Sequence, residues 1–313
     1  MDIRFMKKIL TVFFLTLISI TIVFVSAVLP QSGFDLLTES ISEEQKSFLW
    51  KVQSPTSTIH ILGSMHLAKR SLYPLDRKIE QAFDKSDILV VEVNLSSLTP
   101  AFILKKFNEK GIYQDGTTLG DHLTDETFSR LVEKMNRLSV DINQLNMFKP
   151  WCLAMNLVTI ELLRLGFNPS KGLDQYFLNK AQSNKDILEL ETFEFQLNLF
   201  DDFTEAQQEL FLFSTLVDLD ILKNQMNEMI SAWKTGDVGT MERILRKGLE
   251  ENPELLPIYD KMFFQRNKTM ALKIEEFLGT RKDYFVVVGA GHLVGKEGII
   301  QLLKKRGYPP KQL

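Results

Sequence analysis

Two short runs constrain the fold more than anything else in the chain. Asp87-Ile88-Leu89-Val90-Val91-Glu92-Val93 and Tyr284-Phe285-Val286-Val287-Val288 are near-continuous apolar runs, rich in β-branched residues. Runs of that length and type are strands buried on both faces, the signature of a parallel sheet covered by helices. Thr58-Ile59-His60-Ile61-Leu62 reads as a third strand, and Ser47 to Val52 as another. Ile187-Leu188-Glu189-Leu190-Glu191-Thr192 alternates and predicts a half-buried strand.

The material between these strands has helical periodicity. Phe128, Leu131, Val132, Met135 and Leu138 share one helical face, as do Leu222, Met226, Met229, Ile230 and Trp233. Thr204 and Gln207 have capping-box spacing ahead of an apolar run. From Thr204 to Leu278 the pattern is helical, with breaks near Gly236 and near Asn252-Pro253. No Gly/Ser-rich linker interrupts the chain. The expected architecture is α/β: a mixed central sheet with flanking helices and a large helical insertion, formed by one domain over 28–313.

The N-terminus stands apart from that fold. Arg4, Lys7 and Lys8 precede an uncharged run from Ile9 to Leu29, and Val25-Ser26-Ala27 offers small residues at the −3 and −1 positions of a signal-peptidase site. Residues 1–27 therefore read as a secretory signal or a single N-terminal membrane anchor, since about 20 apolar residues span a bilayer core. Either way the chain is expected to be exported: periplasmic, secreted, or held at the outer face of a membrane. With 37 Lys and Arg against 40 Asp and Glu, the chain lacks the basic excess of a nucleic-acid binder. Its one cysteine, Cys152, excludes an intramolecular disulfide and thiolate metal clusters.

One pattern occurs twice. The strand at Thr58–Leu62 leads into Gly63-Ser64-Met65-His66 and then a helix over Leu75–Phe83. The strand at Tyr284–Val288 leads into Gly289-Ala290-Gly291-His292 and then a helix over Gly298–Lys305. Each is strand, G-x-x-H, helix. Ligand sites of open α/β sheets lie beyond the carboxyl ends of the strands, so His66 and His292 are candidates for a shared site. Gly63 and Gly289 would let the chain turn sharply before each histidine. Glu92, at the end of a buried strand, needs a cation, an arginine or a proton to offset its burial. His66, His292 and Glu92 thus form a candidate metal or acid–base cluster. Glu189 and Glu191 lie on one strand face by period two, and one of them is a candidate second carboxylate. His60, inside a strand, and His122, at a helix start, read as structural.

These motifs resemble the TraB/GumN family. The resemblance rests on Leu49-Trp50-Lys51-Val52, Leu62 to His66, Tyr73-Pro74-Leu75, Val90 to Val93, Gly172-Leu173-Asp174, Leu188 to Thr192, Arg266-Asn267 with Met270, and Val286 to His292, and covers roughly Ser47 to Leu313. The family is similar to the TIKI proteases, which cleave Wnt amino termini, and more distantly to erythromycin esterases and ChaN-like haem-binding proteins. The resemblance implies a fold shared with these relatives and divalent-metal-dependent peptide hydrolysis using His66, His292 and Glu92. It makes Arg266 a site-facing guanidinium, able to hold Glu92, Glu191 or a substrate carboxylate, to stabilise an oxyanion or to anchor substrate. Asn267 stands beside it.

The expected function is therefore a metal-assisted hydrolase, acting on a peptide or small-molecule substrate with Mn²⁺, Co²⁺ or Zn²⁺. Two other readings fit the same residues. One is a non-catalytic peptide- or haem-binding protein. The other is a metal-independent, esterase-like hydrolase with His66 and Glu92 as acid and base.

Overall fold

The computed structural model describes residues 46–182 and 184–313. The expected signal or anchor at 1–27 lies outside the described residues. Among those described, no helix is long and apolar enough to cross a membrane.

The chain opens with β1 (Leu49–Gln53), β2 (Thr58–Ser64), α1 (Arg77–Lys85) and β3 (Ile88–Val91). Helices α2 (Pro100–Gly111), α3 (Asp125–Leu138), α4 (Pro150–Arg164) and α5 (Leu173–Ala181) lead to β4 (Asp186–Glu189). A second helical stretch follows, with α6 (Phe193–Asp201), α7 (Glu205–Asp218), α8 (Leu222–Lys234) and α9 (Val238–Glu251). Helix α10 (Leu256–Tyr259) continues through a π-helical turn, Asp260–Phe264, into α11 (Gln265–Leu278). The chain closes with β5 (Tyr284–Gly289), α12 (Ile299–Lys305) and β6 (Lys311–Gln312).

The six strands form one mixed sheet in the order β4-β3-β5-β2-β1-β6. The four strands from β4 to β2 are parallel, while β1 is antiparallel to both β2 and β6. β5 is buried at all six positions, as its unbroken apolar run predicts. It sits between β3 and β2, pairing Val91 with Val287 and Ser64 with Gly289. The two G-x-x-H strands are therefore direct neighbours, and their carboxyl ends leave the sheet on the same edge.

The edge strand departs from expectation. Pairing on β4 stops at Glu189, and Leu188 is 40% exposed. Among the described residues β4 has a single strand neighbour, β3, so its apolar positions are only partly covered. The capping box at Thr204 and Gln207 forms and starts α7. The helical stretch breaks at Gly236, whose φ of +64° stops α8, and at Asn252-Pro253, but also between Asp218 and Leu222. Helix α1 begins two residues later than the sequence suggested, because Asp76 caps it by accepting from the Lys78 N–H at 2.8 Å. On α3, Leu131 and Met135 are buried while Leu138 is exposed at the helix end. The helices cover both faces of the sheet with an aromatic-rich core that includes Trp151, Phe177, Phe200, Phe211 and Phe285.

Candidate functional site

Each of the four parallel strands delivers polar groups just beyond its carboxyl end. β2 leads to Ser64 and His66, β5 to His292, β3 to Glu92, and β4 to Glu191. All but Ser64, which closes its strand, follow the last strand residue, and all five are buried.

The protonation of both imidazoles is set by their partners. His66 Nδ1 lies 2.7 Å from Asp174 Oδ2, which also accepts the Ser64 hydroxyl. An ionised carboxylate only accepts, so Nδ1 carries the proton. His292 Nδ1 is bonded to Asn267 Oδ1. The Asn267 amide donates through Nδ2 to the Glu297 carbonyl at 2.8 Å, so its Oδ1 is the acceptor and His292 Nδ1 the donor. In both neutral rings the free lone pair is then on Nε2. Both Nε2 atoms are buried without a hydrogen-bond partner, and each lies 3.9 Å from Glu92 Oε1. That is too long for a hydrogen bond. It leaves two nitrogen lone pairs and a carboxylate oxygen facing one small space.

Glu92 is fixed from behind. Its Oε1 accepts from the Gly289 N–H at 2.6 Å, and its Oε2 accepts from Arg266 Nη2 at 2.8 Å and Gln196 Nε2 at 3.1 Å. Arg266 also grips Glu191, through Nε and Nη2, and donates to the Met262 carbonyl through Nη1. Gln196 bridges to Glu191 as well, at 2.9 Å. With neutral imidazoles, three carboxylates (Glu92, Glu191, Asp174) face one guanidinium, a formal charge of −2. Burial of that excess moves the titrations. Burial raises the Glu92 carboxyl against the pull of Arg266 and His66. Burial would lower His66, but the Asp174 carboxylate overrides it and raises the ring to about 9. His292, buried beside Arg266 and His66 with no carboxylate on Nδ1, is pushed well below the usual histidine range.

These groups are of the kind that would hold a divalent cation if drawn closer together. The donor set is two imidazole nitrogens and a carboxylate oxygen, suited to Zn²⁺, Mn²⁺ or Co²⁺. Each histidine has the polar partner on its far nitrogen that orients metal-ligating imidazoles. A divalent ion would have to displace the second proton that the raised titration leaves on His66. Among the described residues no three His, Cys, Asp or Glu side chains are already drawn into close ligand spacing. A crevice of about 10 Å³ beside His66, lined by Val93, Leu95, Pro169 and Asp174, is on the scale of one water.

Two glycines make this packing possible. A Cβ on Gly63 would lie 2.4 Å from the Phe48 ring, and the Gly63 carbonyl accepts from Trp233 Nε1. A Cβ on Gly172 would lie 2.0 Å from the His66 carbonyl oxygen. Gly172 therefore lets the start of α5 abut the His66 turn, which brings Asp174 onto Nδ1.

Of the residues singled out in the sequence, His66, Glu92, His292, Arg266, Asn267, Glu191, Gly63 and Gly289 come together. Glu189 does not: it is exposed and accepts from the Asn94 N–H at 3.1 Å. His60 stays in β2, half-buried opposite Lys51, with burial lowering it to about 4. His122 stacks on Tyr113 at 4.2 Å and bonds Glu205 and Thr117. Asp174 and Gln196 were not singled out as site residues. Asp174 belongs to Gly172-Leu173-Asp174, which only the family resemblance marked. Gln196 is one of four polar residues on α6, with Glu194, Asn198 and Asp201, and nothing in the sequence sets it apart from them.

The chain is an α/β protein with a mixed, parallel-centred sheet and a buried histidine–carboxylate cluster at the sheet's carboxyl edge. The chain belongs to the TraB/PrgY/gumN family, whose sequence pattern matches residues 48–312. It is 24% identical over 246 residues to the uncharacterized protein YbaP of Escherichia coli, covering 78% of this chain and 87% of that one. It is 22% identical over 357 aligned positions to a metalloprotease TIKI homolog of Amphimedon queenslandica, covering 98% of this chain and 69% of the relative. A 51-residue stretch is 43% identical to a metalloprotease TIKI homolog of Nematostella vectensis, 16% of this chain and 11% of that protein. No solved structure matches the chain.

Proposed function

We infer that the chain is a divalent-metal-dependent hydrolase of peptide bonds, with the ion held by His66, His292 and Glu92. The observation that carries this reading is the pair of buried, unpartnered Nε2 atoms aimed at one Glu92 oxygen. The metalloprotease names of two relatives favour peptides as the substrate class. A bound ion of this type polarises a carbonyl and lowers the pKa of a water. The chain's own residues do the rest. Asp174 and Asn267 hold the two Nε2 lone pairs toward the ion. Gly289 and Arg266 oppose the rise that burial imposes on the Glu92 carboxyl, and with Gln196 they aim it, which would leave Oε1 a lone pair for an ion or a proton. Arg266 spends donors on both carboxylates and the Met262 carbonyl, so in this reading it is a positioning group.

The test uses the full-length chain with a peptide library, with and without added Mn²⁺, Co²⁺ or Zn²⁺, alongside calorimetric titration of each ion. Metal binding with cleavage abolished by chelator is expected. Absence of binding of all three ions overturns the reading. The raised His66 titration favours one rival, metal-independent hydrolysis with His66 as the acid; cleavage indifferent to chelator selects it. Export belongs to the same proposal and is tested by fractionation of cells making the full-length chain.

A further inference from the structure

A second cavity lies against the His292 side of the centre. It has a volume of about 270 Å³ and lies between α9, the π-helical turn and the loop after His292. Its walls are apolar: Leu245, Leu249, Tyr259, Phe263, Phe264 and Val294. Its rim carries two acidic and two basic side chains, Glu242, Glu297, Arg246 and Lys296, whose charges cancel. This volume is just under the roughly 300–1,000 Å³ of small-molecule pockets. It is therefore sized for one large side chain rather than a macrocycle.

The cavity abuts the Asn267 side of His292. Gly291, of the second G-x-x-H, and Asn267 both line it. Asn267 holds His292 Nδ1 through Oδ1 and the Glu297 carbonyl through Nδ2, joining ring and cavity wall by one amide. The Phe263 ring lies 5.4 Å from the His292 ring. Phe263 and Asn267 are four positions apart, so they share one face of the helix. A group occupying the cavity therefore rests against the side chains that orient His292.

Resting on the hydrolase reading above, we propose that this cavity is the specificity pocket of the centre, and that it takes a bulky apolar side chain, of the leucine or phenylalanine class, from a peptide substrate. The balanced rim leaves net charge with little influence on selection, while the apolar walls reward buried area at about 25 cal/mol per Å².

The experiment measures binding apart from turnover. N-acetyl-phenylalanine amide, N-acetyl-leucine amide and N-acetyl-alanine amide are titrated into the full-length chain by NMR, together with the variants Leu249→Trp, which fills the cavity, and Leu249→Ala, which enlarges it. Leu249 is only partly buried, packed at the edge of the core, so both variants should fold. The wild type should bind the phenylalanine and leucine amides at least tenfold more tightly than the alanine amide. Leu249→Trp should lose that preference and Leu249→Ala should keep the phenylalanine amide. Contacts between the phenylalanine amide's ring and Leu249 methyls in the wild type give a check that needs no variant. Equal binding of all three amides, or ring contacts elsewhere, overturns the proposal. Metal-dependent cleavage whose side-chain preference survives Leu249→Trp also overturns the pocket while leaving the hydrolase reading intact. Selective binding blocked by Leu249→Trp in a chain that cleaves nothing supports the pocket and removes the hydrolase reading.

Discussion

Glu92→Gln separates a ligand from a structural carboxylate, and its effect follows from the hydrogen bonds. The wild-type side chain accepts from Gly289, Arg266 and Gln196. Glutamine has one accepting end. If the carbonyl keeps the Arg266 and Gln196 side, the amide NH₂ meets the Gly289 N–H, and a buried donor goes unpaired at about 1–3 kcal/mol. Against that loss, the formal charge of the cluster falls from −2 to −1, leaving Arg266 matched to Glu191. Relieving a buried charge is worth about 1–4 kcal/mol. The two terms nearly cancel, so stability should change by no more than about 2 kcal/mol, a Tm shift of under roughly 8 °C for a domain of this size. Metal affinity should fall far more. Loss of a mere orienting partner already costs 10–100-fold, so loss of a charged ligand should exceed about 100-fold. The assay is calorimetric titration of Zn²⁺ and Mn²⁺ into the full-length wild type and variant, with thermal melts of both. An affinity within tenfold of wild type refutes the ligand assignment. A Tm drop well beyond 10 °C would make Glu92 a structural hub instead.

Other expectations follow from single contacts. Gly172→Ala puts a methyl 2.0 Å from the His66 carbonyl, so the α5 start must move; overpacking of about 1–3 kcal/mol should lower Tm by roughly 3–10 °C and loosen Asp174, checked by melts and the His66 NMR titration. Asp174→Asn leaves only Glu92 to oppose the burial of His66, so the ring should fall well below about 9, with metal affinity down about 10–100-fold. His60 titrates near 4 when folded, below its ordinary 6.5, chiefly through burial and Lys51. The unfolded chain therefore takes up that proton first, and stability drains away as pH falls from 6.5 toward 4. Full burial would make this about 3 kcal/mol; the half-buried ring should give roughly half. His60→Gln should shrink the difference in urea midpoint between pH 7 and pH 4.5, and an unchanged difference would refute the assignment.

The strands and the two histidines were legible because each sits in an unbroken local pattern. Near-continuous apolar runs marked β3 and β5, and the repeated G-x-x-H marked two ends that prove to be neighbours. What escaped depends on distance along the chain. Asp174 meets His66 across 108 positions and Gln196 meets Glu92 across 104. Neither carries a local sign of its partner, because one polar residue near a helix start has the same appearance whether it is solvated or buried. Period two could not choose between Glu189 and Glu191, since strand pairing stops at Glu189 and the chain beyond turns into the centre. Leu188 misled for the same reason, because alternation says nothing about whether a strand lies at an edge.

The middle position of β5 also sets an order of events during synthesis. The sheet joins segments as far apart as Trp50 in β1 and Gln312 in β6. β2 and β3 do not touch as strands; each waits for β5 to come between them. At about 5–20 residues per second of translation, the emerging chain carries two apolar strands, each with one open edge, for roughly 10–45 s. The histidine–carboxylate cluster cannot assemble before that last strand of its core is made.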